Sequence, residues 1–305
     1  MSRTYQAMGL AAVLIAFAGA AGASEGPALG YSNLLVGRVN PLGLKDDFTI
    51  HLRRKLFASD SIVLRDAYGG GSFLISAKPT AVQLGFGGEI QPLSILRLSA
   101  SIEWVNQLTA FDNVLSFPSP RAEHDDATRE SLGKEGENYA TRGLYITLGA
   151  LLQVKLGPVA VRSDLKAAYV RVDLRGSDTV FYEIEWDLLS PDRGWVMFNN
   201  TDVVFLADFG LLAGVRYSLA HAFYDDDTYR AGEPRKNVNT PIHKIGPVIG
   251  YTFKVEGERF QKPTLLAIAG WYLEHRYRTG RDTSQAIPCV ILAFSFSGTL
   301  LWRTT

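Results

Sequence analysis

The sequence predicts an all-β chain that folds as an antiparallel transmembrane β-barrel of about 12 strands, with 10 or 14 strands as the alternatives. Three observations lead to this fold class. Many segments alternate between apolar and polar residues, several of these segments are unusually long, and the connections between them differ sharply in length. A period of two is typical of a β-strand with two unlike faces.

Residues 96–104, LRLSASIEW, show the alternation most clearly. Five apolar residues would share one face of a strand and four polar residues the other; the polar ones are Arg97, Ser99, Ser101 and Glu103. The same pattern recurs in residues 47–57, 81–90, 144–156, 160–170, 180–189, 244–257 and 265–278. Residues 194–224 form either one long strand with a turn, or two or three strands.

The length of these segments favours a membrane barrel over a soluble sandwich. Several exceed the roughly 5 to 6 residues of an ordinary strand and reach the roughly 9 to 11 that a tilted membrane strand needs. Residues 91–94 and 157–159 are predicted to be tight turns, whereas residues 107–141 and 222–243 are long and charged. Tryptophans near the segment ends fit an interfacial girdle; they are Trp104, Trp186, Trp195, Trp271 and Trp302.

The N-terminal stretch has the features of a secretory signal peptide. Arg3 supplies the positive charge, residues 8–20 form an apolar run, and Ala21-Gly22-Ala23 fits the small-residue cleavage pattern. The apolar run is shorter than the roughly 20 residues of a membrane-spanning helix. We therefore expect residues 1–23 to be removed on export from the cytoplasm.

Composition excludes several classes of function. Basic and acidic residues are equal in number, 31 each, so the chain has no strong positive field that would attract nucleic acid. A helical membrane protein would show apolar spans of about 20 residues, and none follows the signal peptide. The single cysteine, Cys289, cannot form an intramolecular disulfide, and a barrel closed by its own hydrogen bonds needs none.

With these features the chain resembles Gram-negative outer-membrane β-barrel proteins as a class, over roughly residues 44–302. No specific family motif carries the resemblance. It implies a barrel over residues 44–305, preceded at residues 24–43 by a periplasmic lead-in or a first strand. It also implies short periplasmic turns, long extracellular loops, an outer-membrane location and contact with membrane lipids. A soluble exported sandwich is the alternative.

The polar faces of the predicted strands are strongly charged, and this suggests where a solute would pass. An Arg or Lys that pointed at lipid near the midplane would cost roughly 2 to 4 kcal/mol, so these side chains are expected to face the lumen. The candidate constriction residues are Arg97, Glu103, Arg162, Asp164, Lys166, Glu274 and Arg276. Mixed charges fit either a narrow pore or an interior plugged by ion pairs, and the sequence leaves both open.

Other candidate sites are weaker. The acidic runs 123–130 and 224–229 lack the pattern of a calcium loop, so we expect solvated loops, no metal site and no cofactor. "YGGGS" at 68–72 is interpreted as a flexible loop. No motif of a serine or zinc hydrolase is present. A catalytic triad assembled across strands around His275 or His51 is the enzymatic alternative.

The function predicted from the sequence is a narrow, non-enzymatic pore for small solutes. The first alternative is a non-conducting barrel that is structural or binds a partner, and the second is a barrel that hydrolyses lipid. Self-association as a homo-oligomer is left open.

Overall fold

The computed structural model describes residues 27–108, 115–279 and 286–302, and the predicted signal peptide lies outside them. The strands are β1 (Ala28–Val39), β2 (Gly43–Lys55), β3 (Tyr68–Lys78), β4 (Ala81–Leu93), β5 (Leu96–Gln107), β6 (Ser116–Phe117), β7 (Thr141–Leu156), β8 (Val159–Val172), β9 (Val180–Glu183), β10 (Leu188–Pro191), β11 (Gly194–Leu206), β12 (Leu211–Ala222), β13 (Ile242–Thr252), β14 (Gln261–Glu274) and β15 (Cys289–Trp302). One α-helix, α1 (Asp126–Lys134), and a short 3-10 helix (Asp226–Thr228) are also described. Among these residues, no helix has the length and apolar character that crossing a bilayer requires.

Twelve strands form one closed antiparallel barrel, which confirms the predicted fold class. The order around the ring is β1-β15-β14-β13-β12-β11-β8-β7-β5-β4-β3-β2. β1 pairs with β15 from Ala28 opposite Trp302 to Val39 opposite Val290, so the ring has no free edge. Residues 28–39, which the sequence left open between a lead-in and a strand, are therefore part of the barrel.

The two ends of the barrel differ, largely as predicted. Both ends of the barrel chain, Ala28 and Trp302, lie at one end, which we call the terminal end; the opposite end is the loop end. Links at the loop end include the long segments 108–140, 173–193, 223–241 and 275–288. Links at the terminal end are mostly short, namely 94–95, 157–158, 207–210 and 253–260. Two features depart from this division: segment 56–67 lies at the terminal end, and the tight turns 40–42 and 79–80 lie at the loop end.

The outer surface of the barrel carries the apolar residues of the alternating pattern. In β5, Leu98 and Trp104 point outward and are 43% and 50% exposed, while Val105 and Gln107 on the other face are buried. β7 behaves in the same way, with Leu148 and Leu152 exposed and Tyr145 buried. The predicted assignment of the two faces of residues 96–104 is therefore correct.

Three of the five tryptophans occupy the outer surface toward the loop end. These are Trp104, Trp195 and Trp271, each at least partly exposed on a barrel strand. Trp186 is instead buried inside the barrel, so its predicted place in an interfacial girdle is wrong. The side chain of Trp302 lies outside the described part of the structure.

One polar cluster interrupts the apolar outer surface. The Asn199 amide donates to Ser163 Oγ at 2.9 Å, and the Thr201 hydroxyl donates to Asn199 Oδ1 at 2.8 Å. These residues lie on the same face of β8 and β11 as the exposed Leu165 and Val203, and they point outward with them. The three side chains therefore satisfy one another on this outer face.

The lumen has two unlike walls. The inward faces of β2, β3, β4, β5, β7 and β8, which we call the polar wall, carry charged residues at many positions. The inward faces of β13, β14 and β15, which we call the apolar wall, carry mainly aliphatic and small residues. Val248, Leu266, Ile268 and Ala293 of the apolar wall form a buried cluster with Val204 and Leu212 of the adjoining strands.

Two segments differ from their predicted structure. Residues 180–189 are not a membrane strand but the β9–β10 hairpin, whose strands are buried on both faces. The turn between them is possible because Asp187 adopts φ of +58°, a left-handed conformation that Asp tolerates better than most residues. Residues 68–72, interpreted as a flexible loop, begin β3, where Gly70 lies so close to β2 that a Cβ atom would be 2.4 Å from the Leu52 carbonyl oxygen.

Candidate functional site

The β9–β10 hairpin occupies the loop end of the lumen and is the central element of the candidate site. It forms a small sheet with β6, in the order β10-β9-β6. Trp186 at its tip lies 5.9 Å from the ring centroid of Tyr145 on β7 and 5.5 Å from that of Phe198 on β11. The tip therefore reaches side chains that project into the lumen from β7 and β11, the two neighbours of β8 in the ring.

Glu185 fixes the hairpin tip to the polar wall. Its carboxylate accepts hydrogen bonds from Lys45 Nζ on β2, at 2.8 Å, and from Lys78 on β3. On the β1 side, Arg38 donates to the carbonyl oxygens of Ile184 and Glu185 at 2.6 and 2.8 Å. Burial alone would raise the pKa of the Glu185 carboxyl, but the two ammonium groups hold that pKa well below its usual range.

Asp187 fixes the other side of the hairpin tip to β14 and to the loop that follows it. Its carboxylate accepts hydrogen bonds from the hydroxyls of Tyr182 and Tyr272, at 2.7 and 2.9 Å, and from Arg278 Nε at 2.5 Å. The His275 Nε2 atom lies 3.2 Å from the same carboxylate. Burial alone would raise the pKa of the Asp187 carboxyl, which is 1% exposed, but His275 and Arg278 hold that pKa well below its usual value.

The long loops cover the hairpin from outside. Arg129 of α1 stacks over the Tyr182 ring at 3.8 Å. Arg276 donates to the carbonyl oxygens of Arg121 and Ala122 and to Asn239 Oδ1, at 3.0–3.2 Å, and so ties three loops together. Because these contacts link segments 108–140, 223–241 and 275–288, the hairpin is held within a connected cap.

The acidic run 123–130 belongs to this cap. Asp125 caps the N-terminus of α1, accepting from the Thr128 backbone N–H at 2.8 Å. Hydrogen bonding to the Thr128 side chain, and then to its backbone N–H, lowers the pKa of the Asp125 carboxyl. Glu123 accepts from Tyr277 at 2.8 Å and pairs with Arg276. These carboxylates therefore have structural partners, and among the described residues no group of three or more metal-binding side chains is found.

Below the hairpin tip, toward the terminal end, a polar cavity of about 180 Å³ lies against the polar wall. Four of the predicted constriction residues line it: Arg97, Glu103, Asp164 and Lys166. Arg162 is only 2% exposed, and its Nη2 atom lies 3.4 Å from Asp164 Oδ2. The structure thus brings five of the seven predicted residues to one region of the lumen, with mixed charge as expected.

The other two predicted residues do not lie in this region. Glu274 is 65% exposed at the end of β14, with its carboxylate 3.9 Å from His243 Nε2, because a bulge at His243 ends the regular pairing there. Arg276 follows the strand and belongs to the cap. The prediction that Glu274 and Arg276 line the lumen constriction is therefore wrong. It extended the alternating pattern through the end of β14.

Above the hairpin tip, toward the loop end, lies a second cavity of about 840 Å³, which we call the upper cavity. Its lining combines the apolar wall with β1, the hairpin and α1. Lys45, Glu185, Trp186 and Phe198 line both this cavity and the smaller one below. The hairpin tip therefore stands at the junction of the two cavities.

The two histidines considered for catalysis have different surroundings. His275 Nδ1 accepts from the backbone N–H groups of Tyr277 and Arg278, at 3.1 and 3.2 Å, so Nε2 carries the proton that faces Asp187. No ring nitrogen of His275 is left to activate a serine. His51 is buried on the inward face of β2, opposite Gly30 of β1.

Sequence reasoning missed Lys45, Lys78 and Arg38, which hold the hairpin tip. Lys45 and Arg38 lie next to the turn at 40–42, outside the segments recognised as strands. Lys78 ends β3, beyond residues 68–72, which were interpreted as a flexible loop. The acidic face of residues 180–189 is the feature of the sequence that could have indicated these cationic partners. Three carboxylates within five residues require cationic partners if the segment is buried.

No family model and no curated protein matches the chain. Solved structures that it resembles include the translocator domain of the autotransporter NalP from Neisseria meningitidis, at 10% identity and a TM-score of 0.41, with 91% of this chain and 88% of that one covered. The CymD monoaromatic hydrocarbon channel matches at 11% identity and a TM-score of 0.38, covering 92% and 90%. The outer membrane protein Omp33 from Acinetobacter baumannii matches at 11% identity and a TM-score of 0.34, covering 91% and 99%. Likenesses of this degree assign no function; the chain's own strand order shows a closed antiparallel barrel.

Proposed function

We propose that this chain is a non-enzymatic outer-membrane channel that passes small solutes along a narrow path beside the β9–β10 hairpin. The observation that carries the proposal is the pair of cavities that share Lys45, Glu185, Trp186 and Phe198 as lining residues. A solute that moved from one cavity to the other would pass the hairpin tip. The band of exposed apolar residues on the outer surface supports contact with membrane lipids.

The charges near the junction support a path for small hydrated solutes. Arg97, Glu103, Asp164 and Lys166 line the lower cavity, and both signs of charge are represented. A lumen of this kind conducts without strong selection for one sign of ion. In the outer membrane the terminal end would face the periplasm and the loop end the cell exterior, which is the usual arrangement of short turns and long loops.

Recordings from planar bilayers test the proposal. The mature chain, refolded and inserted, is expected to give discrete conductance steps, and Trp186→Ala is expected to raise the unitary conductance roughly twofold because it removes the bulk at the junction. The matched control is Trp195→Ala, which removes the same side chain from the outer surface. Folding and insertion of each protein are checked by protease protection and heat-dependent electrophoretic mobility.

Two results would contradict the channel. Silence from inserted wild-type protein and from Trp186→Ala would favour the non-conducting barrel. Equal conductance of Trp186→Ala and wild type, with open channels in both, would place the path elsewhere in the lumen.

A further inference from the structure

The upper cavity has the size and composition of an organic-ligand site. Its volume of about 840 Å³ lies within the roughly 300 to 1,000 Å³ typical of sites for small organic molecules. At Gly270 a side chain would meet only ordinary contacts, with Lys244 Cβ at 3.6 Å from the position of a Cβ atom. The glycine therefore keeps this part of the cavity open.

A row of aliphatic side chains crosses the neighbouring strands β13, β14 and β15, and Ile268 and Ile291 of this row line the cavity. Ile291 of β15 pairs with Ile268 of β14, which pairs with Val248 of β13. On its other side Ile291 pairs with Arg38 of β1. Since directly paired residues point to the same side of a sheet, Arg38 stands at the edge of this aliphatic row, inside the barrel.

Two cations border this apolar surface without a carboxylate partner among the described residues. Within the described residues, the Arg38 guanidinium donates its hydrogen bonds to backbone carbonyl oxygens, those of Pro41, Ile184 and Glu185. Lys244 lies over the Tyr272 ring, with its ammonium nitrogen 5.2 Å from the ring centroid. Carbonyl and aromatic contacts stabilise a cation but do not neutralise it.

Other cations around the cavity are already compensated. Lys45 and Lys78 both bind Glu185, and Arg216 forms two hydrogen bonds to Asp202, at 2.7 and 3.0 Å. The segments 242–252, 264–272 and 289–299 of the apolar wall contain no acidic residue, and Lys244 is their only Lys or Arg. The uncompensated charge is therefore localised at Arg38 and Lys244, on opposite sides of the β14–β15 surface.

We infer that the upper cavity binds an amphiphilic organic anion, an aromatic or aliphatic carboxylate whose apolar body lies on the β13–β15 surface. Its carboxylate meets Lys244 or Arg38. The inference rests on the proposed channel function and names the class of solute that the channel would take. An inorganic anion would leave the apolar surface unused, and a neutral hydrocarbon would leave the two cations unused.

Calorimetric titration of the refolded, full mature chain in a non-ionic detergent tests this inference directly. The probes are 2-naphthoate, the neutral 2-naphthalenemethanol and inorganic sulfate. We expect 2-naphthoate to bind at least about tenfold more tightly than the alcohol, because only the carboxylate gains a charge-assisted contact. Sulfate should show no comparable binding. Equal affinity for the alcohol, or preferred binding of sulfate, would overturn the inference.

Three variants and a matched control locate the site. Lys244→Gln is expected to weaken 2-naphthoate binding about tenfold, and Gly270→Leu to weaken it as well by occupying the space over the aliphatic surface next to Lys244. Lys254→Gln, which removes an exposed charge from the link after β13, is the matched control and should bind like the wild type. Arg38→Gln should also weaken binding, but Arg38 holds the hairpin as well, so Lys244→Gln is the cleaner test. Unchanged affinity for 2-naphthoate in both Lys244→Gln and Gly270→Leu would overturn the assignment to this cavity.

This experiment separates the ligand from the channel. Titration in detergent requires no transport, so saturable binding by a protein that is silent in bilayers would leave the ligand class standing and remove the channel. Conductance steps from a protein that does not bind 2-naphthoate would leave the channel standing and remove the proposed class of ligand.

Discussion

The polar wall and the apolar wall are built from strands of similar length, yet their inward faces have opposite character. On the polar wall, Arg53 Nε lies 2.5 Å from Glu89 Oε1, and the Arg97 guanidinium lies 3.9 Å from the same carboxylate. On the apolar wall, Leu266 and Ile268 are buried against aliphatic neighbours. One barrel can therefore present a lumen that is hydrated and charged on one side and behaves as a protein core on the other.

The hairpin joins these two walls through two carboxylates in its tip. Glu185 binds Lys45 and Lys78 of the polar wall, whereas Asp187 binds Tyr272 of the apolar wall and Arg278 of the following loop. The environments of the two carboxylates differ. Lys45 retains a second partner, Asp47 at 3.0 Å, if Glu185 is neutralised, but Asp187 is the acceptor on which several donors converge.

The largest effect is expected from Asp187→Asn, which breaks the attachment to the apolar wall. Removing one partner of a buried ion pair typically costs roughly 3 to 5 kcal/mol, and Asn keeps both the size and the left-handed conformation of Asp. We expect a loss at the lower end of that range, because Arg278 also has Asp126 as a partner. Urea unfolding followed by tryptophan fluorescence, with trypsin digestion of the loop end, measures the effect.

Glu185→Gln is the matched comparison for that variant. It should lower the free energy of unfolding clearly less than Asp187→Asn does, since Lys45 keeps its ion pair with Asp47. Equal losses of stability in the two variants would show that the two attachments are energetically equivalent, contrary to the expectation from the second partner of Lys45.

A smaller loss of stability is expected from Leu266→Ala in the apolar wall. A buried Leu to Ala change costs roughly 2 to 5 kcal/mol through lost burial and a residual cavity, and a site that borders a lumen should lie near the low end. The control is Leu265→Ala, one residue away on the lipid face and 50% exposed. If both substitutions changed the free energy of unfolding equally, the apolar wall would not behave as a core.

The smallest effect is expected on the polar wall, where Arg97→Ala combined with Lys166→Ala should change ion preference rather than stability. Both side chains line the lower cavity, so their loss should shift the ratio of cation to anion permeability toward cations by roughly twofold. Reversal potentials in asymmetric salt measure the shift. Arg171→Ala, which removes an exposed charge on the outer face of β8, should leave the ratio unchanged. An unchanged permeability ratio in the double variant would show that these residues do not line the path.

The comparison of the walls also explains how much the sequence could predict. In β5, β7 and β8 a charged or small polar inward face alternates with an apolar outward face, so the faces of Arg97, Asp164 and Lys166 could be assigned from the pattern. In β14 and β15 both faces are apolar over most of their length, as in residues 289–294. There the alternation disappears, and only the fold shows which residues enter the lumen.

The hairpin was the feature that the sequence could not place. Residues 180–189 alternate as a membrane strand does, but their acidic face is satisfied by Lys45, Lys78 and Arg278, which lie far away in the sequence. Local pattern carries no information about such partners. Glu274 shows the converse limit, since the pattern continued past the point where the regular pairing of β14 ends.

The pairing of β1 with β15 has a consequence for how the chain reaches its native state. It joins Ala28 to Trp302, the most distant pair in the described chain, whereas other neighbours in the ring are mostly formed by consecutive hairpins. Contacts of such large sequence separation are slow to form, because the whole intervening chain must be ordered first. The hairpins are therefore expected to assemble early and the seam between β1 and β15 to close last. A chain that lost its final strand would keep two unpaired edges, whose N–H and C=O groups have no partner in lipid.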